Sequence, residues 1–248
     1  MASAASPDEP PYVDSEVAYM RAHASVRPRF LGQRTIDAPG LVDLSALSPG
    51  CSLVVVHAAL SADGVLDYTE AASHVKRDTG RSGYGQMKPR RELCYRAPDD
   101  AGAYVYSGVA HHTVAYTAHV LALVPEFRAR VEALLPAPNA FRRLSHGIDI
   151  VYSREFSRGG SIAAHSDSEH DDWGLVLIFS LGQTRWLRVR HRATQRWINV
   201  EMPHNSLVAM HGAAFQRDFT HQVDKLGKND AVYARLSLNL RFGLGAAE

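Results

Sequence analysis

His165 and Asp167 stand two residues apart in the run Ser161-Ile162-Ala163-Ala164-His165-Ser166-Asp167-Ser168-Glu169. On an extended backbone, positions i and i+2 share a face, so an imidazole and a carboxylate project together. A second neutral imidazole from another strand completes a two-histidine, one-carboxylate facial triad, a donor set that leaves open positions on non-haem Fe(II). His221, in Asp218-Phe219-Thr220-His221-Gln222-Val223, is the leading third ligand. The competing reading is a surface turn in an acidic run that continues through Asp171 and Asp172. His170, a decoy ligand, falls on the opposite parity from His165.

The stretch Arg235 to Phe242 alternates strictly polar and apolar. Leu236, Leu238, Leu240 and Phe242 share one face, expected to pack between sheets. Arg235, Ser237, Asn239 and Arg241 share the other, and two buried guanidiniums need anions because an unpaired buried charge is costly. At about 3.3 Å per residue the two arginines lie roughly 20 Å apart along a straight strand. Leaning inward, they could hold the two ends of a small dicarboxylate, and Arg suits bidentate carboxylate binding. The alternative is an edge strand whose charges deter aggregation.

These pieces need a scaffold, and the chain has the means to build one. It has 248 residues, 46% of them hydrophobic, with a formal net charge of +1. One large domain is the simplest reading, and the balanced charge argues neither for nor against a polyanionic partner. Cys51 and Cys94 form no Cys-x-x-Cys site and no disulfide framework. No secretory signal is visible at the N-terminus, and Leu175–Phe179, the longest apolar run, is too short to span a bilayer. A soluble, intracellular protein with no membrane partner is expected, and a monomer.

Residues 1–27 read as a flexible tail, with a short amphipathic helix over Ser15–Ala24. Ser52–His57 is a buried strand candidate, and Asp67–Arg77 a helix with Asp67 as N-cap. Lys76–Arg96, with seven Lys/Arg against two acids, is a basic loop or hairpin. Ala103–Gly108 alternates as a strand. Thr113–Val124 is helical, and Pro125 begins a second helix whose Phe127, Val131, Leu134 and Leu135 form a core-facing stripe. From Ile148 onward eight short strands follow: Ile148–Ser153, Ser161–Ser166, Gly174–Ser180, Arg185–His191, Trp197–Val200, Ser206–Met210, His221–Asp224 and Arg235–Phe242. Their spacing suggests an antiparallel sandwich or jelly roll.

Together, His165-x-Asp167, His221 and the Arg235-x-Ser-x-Asn-x-Arg241 ending resemble the AlkB family of Fe(II)/2-oxoglutarate dioxygenases, whose last motif reads Arg-x-Asn-x-Thr-x-Arg. Tyr104-Val105-Tyr106-Ser107-Gly108 resembles the Tyr-x-Phe-Ser-Gly segment of that family's nucleotide-recognition lid. Pro89-Arg90 through Tyr95 resembles the Pro-Arg…Tyr run before it, and Phe179–Gly182 and Asn205–Leu207 resemble core strand motifs. The likeness runs from about Pro89 to Gly243. It implies an α+β fold with a mainly β core: a double-stranded β-helix with N-terminal helices and a basic lid. One domain would span residues 28–248, its lid over about 67–112 and its core over about 146–243.

The resemblance further implies that His165, Asp167 and His221 hold Fe(II), with 2-oxoglutarate and O2 at the open positions. Arg235 would pair with the distal carboxylate of 2-oxoglutarate and Arg241 would sit nearer the metal. Ser237 and Asn239 replace the family's Asn and Thr. The family's upstream Asn-x-Tyr falls on Ser153/Glu155 or on Arg154/Phe156, with Tyr152 as a substitute donor. Oxidative dealkylation of an N-methylated base in DNA or RNA would release succinate, CO2 and formaldehyde. Such enzymes extrude the damaged base. Tyr106 matches the stacking aromatic and Glu169 an acid that meets the exocyclic nitrogen, while Tyr104 and Arg90 belong to the same substrate surface. Arg185–Arg196, with Arg188, Arg190 and Arg192 on one face, is a second basic cluster that could track phosphates. His111 and His112 read as exposed loop residues. Two other readings stay open: an oxygenase of the same fold acting on a protein side chain or small molecule, and a binding domain that lost the chemistry.

Overall fold

The computed structural model describes residues 35–81, 87–97, 104–106, 109–135, 141, 143–152, 160–167, 173–227 and 233–243. The expected tail and its short helix lie outside them. The first half lays down β1 (Thr35–Ile36), β2 (Gly40–Asp43), β3 (Ser52–His57), helix α1 (Ala62–Ser73), β4 (Asp78–Arg81), β5 (Met87–Arg96), β6 (Tyr104–Tyr106), β7 (Val109–His111), β8 (Thr113–Ala115) and helix α2 (Ala118–Glu132). The second half is β9 (Arg143–Tyr152), β10 (Ile162–His165), β11 (Trp173–Gly182), β12 (Arg185–His191), β13 (Trp197–Met202), β14 (Ser206–His211), the single turn α3 (Phe215–Asp218), β15 (Phe219–Val223) and β16 (Arg235–Gly243).

The eight strands β9 to β16 divide between two sheets, which makes the jelly roll. The smaller sheet runs β1-β13-β12-β15-β10, and the larger runs β2-β3-β14-β11-β16-β9-β5-β4 with β8 beside β5. Leu187, Val189, Val200 and Val223 of the small sheet meet Val55, Val176, Ile178, Val208 and Met210 of the large one in a shared core. A second core lies on the other side of the large sheet, where Val120, Leu123, Phe127 and Val131 of α2 pack over Leu177, Phe179 and Leu207. The large sheet is therefore buried on both faces, which explains the continuous apolar run at 175–179.

That second core corrects one expectation. Leu236, Leu238, Leu240 and Phe242 of β16 pack on the helical side, not between the sheets, and the polar face of β16 looks into the space between them. The helix boundaries also differ. The first helix starts at Ala62, because the Ser61 hydroxyl accepts the Gly64 amide at 3.0 Å and so satisfies a free N-terminal donor; Asp67 is an exposed mid-helix residue. Arg77, past the helix end, is buried against Asp149 at 2.6 Å. Thr113–Ala115 is a strand parallel to β5, and one helix then runs through Pro125. The proline is exposed, as is Leu121, whose carbonyl loses a partner there. Of the expected stripe, Leu134 is exposed.

The basic stretch Lys76–Arg96 does form a hairpin, but β5 is an integral strand of the large sheet, paired along β9 from Arg91 to Tyr95. A separate lid is not shown. Gly147 marks a tight place in this sheet: a Cβ there would stand 2.7 Å from the Tyr116 hydroxyl.

Candidate active site

β10 and β15 are neighbours in the small sheet, and their register sets His165 directly opposite His221. The two rings lie 4.2 Å apart between centroids. Asp167 follows two residues after His165, just past the end of β10, and turns inward: its carboxylate is 2% exposed, against 22% for the His165 ring. Nε2 of His165 is 3.6 Å from Asp167 Oδ1, and Nε2 of His221 is 3.8 Å from Oδ2. One ligand atom from each residue falls within 4.8 Å of the others. The expected triad is thus assembled.

The protons around it suit a cation. Nδ1 of His165 lies 2.9 Å from the Ala163 carbonyl, an acceptor only, so Nδ1 carries the hydrogen and Nε2 offers its lone pair. Burial, then the adjacent His165 ring, pushes the His221 imidazole down to about 3, which keeps it neutral near pH 7. Burial alone would push the Asp167 carboxyl up. The Arg241 guanidinium, with His221 and His165 after it, outweighs burial and holds Asp167 well below the usual carboxylate range. Arg241 does this by direct contact, Nη2 donating to Oδ1 at 2.9 Å. Two neutral imidazoles and an ionised carboxylate are what Fe(II) takes in a facial triad.

One contributor was not legible from spacing or composition. Gln216, in the turn before β15, is buried and accepts the Asp167 amide through Oε1 at 2.9 Å. The segment that delivers His221 therefore also fixes the backbone of Asp167. The turn is tied down by Asp218, which accepts from the buried Ser48 hydroxyl at 2.6 Å.

The cavity beside the triad is lined by Ile148, Ile150, Ile178, Leu187, Asn239 and Arg241, with Arg90 and Glu92 at its flank. At the far end of β16 sits Arg235, fully buried. Its Nη2 donates to Ser180 Oγ at 2.8 Å and Ser237 Oγ at 3.3 Å. Its Nε and Nη1 are buried without a hydrogen-bond partner among the described residues. Burial pushes this guanidinium down to about 10. Orphaned donors on a buried cation fit a carboxylate, and none is supplied by the described residues. Asn239 Nδ2 donates to the Ile148 carbonyl at 3.1 Å. The Tyr152 ring lies 5.8 Å from the Arg235 guanidinium carbon.

The model of the 2OG-Fe(II) oxygenase superfamily matches residues 61–241. The chain belongs to the 2OG-Fe(II) oxygenase superfamily. Its members use Fe(II), 2-oxoglutarate and O2, and the donor set and the orphaned guanidinium of this oxygenase fit the first two. Among solved structures, 178 chains match. One is an oxidoreductase of the 2OG-Fe(II) oxygenase family from Burkholderia pseudomallei: 8% identity, TM-score 0.56, covering 81% of this chain and 88% of that one. Another is OsALKBH1: 16% identity, TM-score 0.52, covering 76% of this chain and 97% of that one. Both likenesses are of fold. No curated protein sequence matches.

Of the residues assigned to substrate, Arg90 and Tyr104 are described, and both lie beside the site. Arg90 is buried, with Nε on Glu92 at 3.1 Å and Nη1 on the Ser161 carbonyl at 3.3 Å, so it braces the lead into β10. Tyr104 is buried, its ring stacked 4.8 Å from His146 and 5.9 Å from the Arg241 guanidinium. Tyr106 belongs to β6, with its side chain outside the described atoms; Glu169, His170 and the candidates at 153–156 lie outside the described residues. His111 is a half-buried strand residue 3.9 Å from Glu92, not a loop histidine, because it ends β7 and pairs there with Tyr104 of β6. In the second basic cluster Arg188 has an acid after all, Asp224 at 2.8 Å. Arg190, Arg192 and Arg196 are exposed. No helix among the described residues is long and apolar enough to cross a membrane.

Proposed function

We propose that this oxygenase is AlkB-like and oxidatively dealkylates N-methylated bases in DNA or RNA, releasing succinate, CO2 and formaldehyde. His165, Asp167 and His221 hold Fe(II). Arg241 keeps Asp167 ionised, and Arg235, supported by Ser237 and flanked by Tyr152, takes the distal carboxylate of 2-oxoglutarate, with Asn239 along the wall between them. The bound iron and cosubstrate supply oxidation of a nearby C–H bond by O2. If that carbon is an N-methyl group, the resulting hemiaminal loses formaldehyde. Tyr106 and Glu169 are assigned to the base itself.

The observation that carries the nucleic-acid reading is the outer face of β12 and its turn. Arg188 and Arg190 lie 5.2 and 5.9 Å from the Trp197 ring. Arg192 donates from Nη2 to Ser166 Oγ at 2.8 Å, between the two metal ligands His165 and Asp167. Exposed cations at Arg190, Arg192 and Arg196, with no carboxylate partner among the described residues and next to an indole, suit a phosphate backbone and a stacked base. The AlkB-like motifs and the fold shared with OsALKBH1 agree with this reading.

A panel of methylated single- and double-stranded DNA and RNA, read by formaldehyde and succinate release, tests it. Turnover is expected on at least one substrate and lost in Asp167→Ala. Each Arg→Ala change at 190, 192 or 196 should flatten the salt dependence of single-strand binding by about 0.7 in log–log slope. Uncoupled 2-oxoglutarate turnover that no nucleic acid stimulates would point to a protein or small-molecule substrate and sink the reading.

A further inference from the structure

The two segments that carry the metal ligands meet over a short ladder. β10 and β15 pair at Ile162↔Val223 and at His165↔His221, and Ser166 and Asp167 continue past the end of β10. One residue of a third segment reaches both sides. Arg192 follows β12, in the turn that leads to β13. Its backbone amide donates to the Asp218 carbonyl at 2.8 Å, in the turn that delivers His221, and so extends the β12–β15 pairing beyond His191↔Phe219. Its side chain crosses to the other segment, where Nη2 donates to Ser166 Oγ at 2.8 Å, between His165 and Asp167.

The base of this arm is fixed and its tip is in water. The His191 amide donates to the Arg196 carbonyl and the Gln195 amide to the His191 carbonyl, each at 2.9 Å, which closes the turn. Asp218 is in turn held by the Ser48 hydroxyl. Arg192 itself is exposed, so its bond to Ser166 competes with solvent and must freeze a long side chain. A guanidinium carries five donors in a rigid fork, and Ser166 takes one of them. A phosphate on another edge of the fork would fix its plane, and the bond to Ser166 would then form with less entropy left to lose.

We propose that Arg192 is a positioning residue that links strand binding to the grip on the metal: a backbone phosphate held on its fork steadies the His165–Asp167 segment, so the nucleic acid and the metal ion bind with positive coupling. This rests on the nucleic-acid reading and extends it to regulation of the same site. The neighbouring Arg190 guanidinium sits by the Trp197 ring, 5.9 Å from its centroid, and adds affinity for the strand without taking part in the coupling. The division of labour follows from where each side chain ends: one on a ligand segment, the other on an indole.

Fluorescence anisotropy of a short dye-labelled oligothymidylate on the full chain, with and without saturating Mn(II), tests it without turnover. Mn(II) should tighten strand binding by about fivefold, and by reciprocity the strand should tighten Mn(II) binding by the same factor in calorimetry. A cation near a polyanion attracts it in any case, so the variants are chosen to hold charge constant. Ser166→Ala alters no charge, and Arg192→Lys keeps the charge but loses the fork; in both, the factor should fall below about twofold. Arg190→Ala removes a charge and should weaken the strand while keeping the fivefold factor. A factor that survives in Ser166→Ala and Arg192→Lys would reduce the coupling to long-range attraction and overturn the proposal. A strand that binds equally well with and without Mn(II) on the unmutated chain overturns it too, with the nucleic-acid reading intact. If no form of the chain binds the strand, the nucleic-acid reading itself fails and takes the coupling with it.

Discussion

Asp167 must be buried to face the cavity and charged to ligate, and those two demands conflict. Arg241 resolves them by a direct 2.9 Å contact. Removing it leaves a carboxylate in a site that favours its protonated form. Arg241→Gln should therefore weaken Mn(II) binding by about 10–100-fold, the range for partners behind a ligand, in calorimetry at pH 7.5. An unchanged affinity would mean that Arg241 serves only the cosubstrate. His165 is the more exposed imidazole, so His165→Ala should abolish Mn(II) binding while the metal-free melting temperature stays within a degree or so of the unmutated chain. At this scale the sequence was highly legible. The i, i+2 pair was legible because strand parity decides which side chains meet, but several histidines follow it in the chain, and singling out His221 took the Arg235–Arg241 ending and the family resemblance as well. Gln216 was not legible: its role depends on a turn folding back onto Asp167, and nothing in its type or spacing signals that.

Elements deliver these residues, and two of them invite tests. Pro125 sits inside α2, where it removes one backbone hydrogen bond, and its surroundings are exposed. Pro125→Ala should stabilise the protein by about 1 kcal/mol or more in urea unfolding; a loss would show that the proline is needed to fit the helix to the sheet. The turn before β15 depends on Asp218, whose carboxyl is held down to about 2 by Arg217 and Ser48. A depressed carboxyl contributes stability that is full above the unfolded value near 4 and disappears as pH falls toward 2. Asp218→Asn should then cost about 1–2 kcal/mol at pH 6, with the gap closing between pH 4 and 2.5. A constant gap would assign the effect to packing. The helix ends were misread for a related reason. Ser61 and Asp67 are both acceptable caps by type, and only the tertiary path of the chain chooses between them. The polar and apolar faces of β16 were read correctly, but which core each joins depends on helices that arrive from a different part of the chain.

For the whole molecule, the jelly roll was legible because its eight strands are short and stop at turn residues. The sheet extensions were not: β1, β2 and β8 are short, and β5 looked like a basic loop because its charges are spread along both faces. The assembled site also makes a global prediction. A cation and a dicarboxylate that bind only the folded state stabilise it by RT ln(1 + [L]/Kd), about 2.7 kcal/mol at a hundredfold excess over Kd. For a chain of this size that is a rise of roughly 5–10 °C in melting temperature with Mn(II) and 2-oxoglutarate together. Pyruvate in place of 2-oxoglutarate should raise it less. Equal shifts would mean that the distal carboxylate meets no charge.

The seam between β10 and β15 holds a last consequence. Among the described residues β10 has a neighbour on one side only, and it keeps step with β15 just at Ile162 and His165, with an irregularity between. Among the described residues the backbone ladder holds that margin at few points. An ion gripped by both imidazoles would work as a rivet through the hem of the sheet, so loading should slow amide exchange across residues 162–165 far more than in β11 or β16. The same atom that prepares the chemistry would then fasten the edge that presents it.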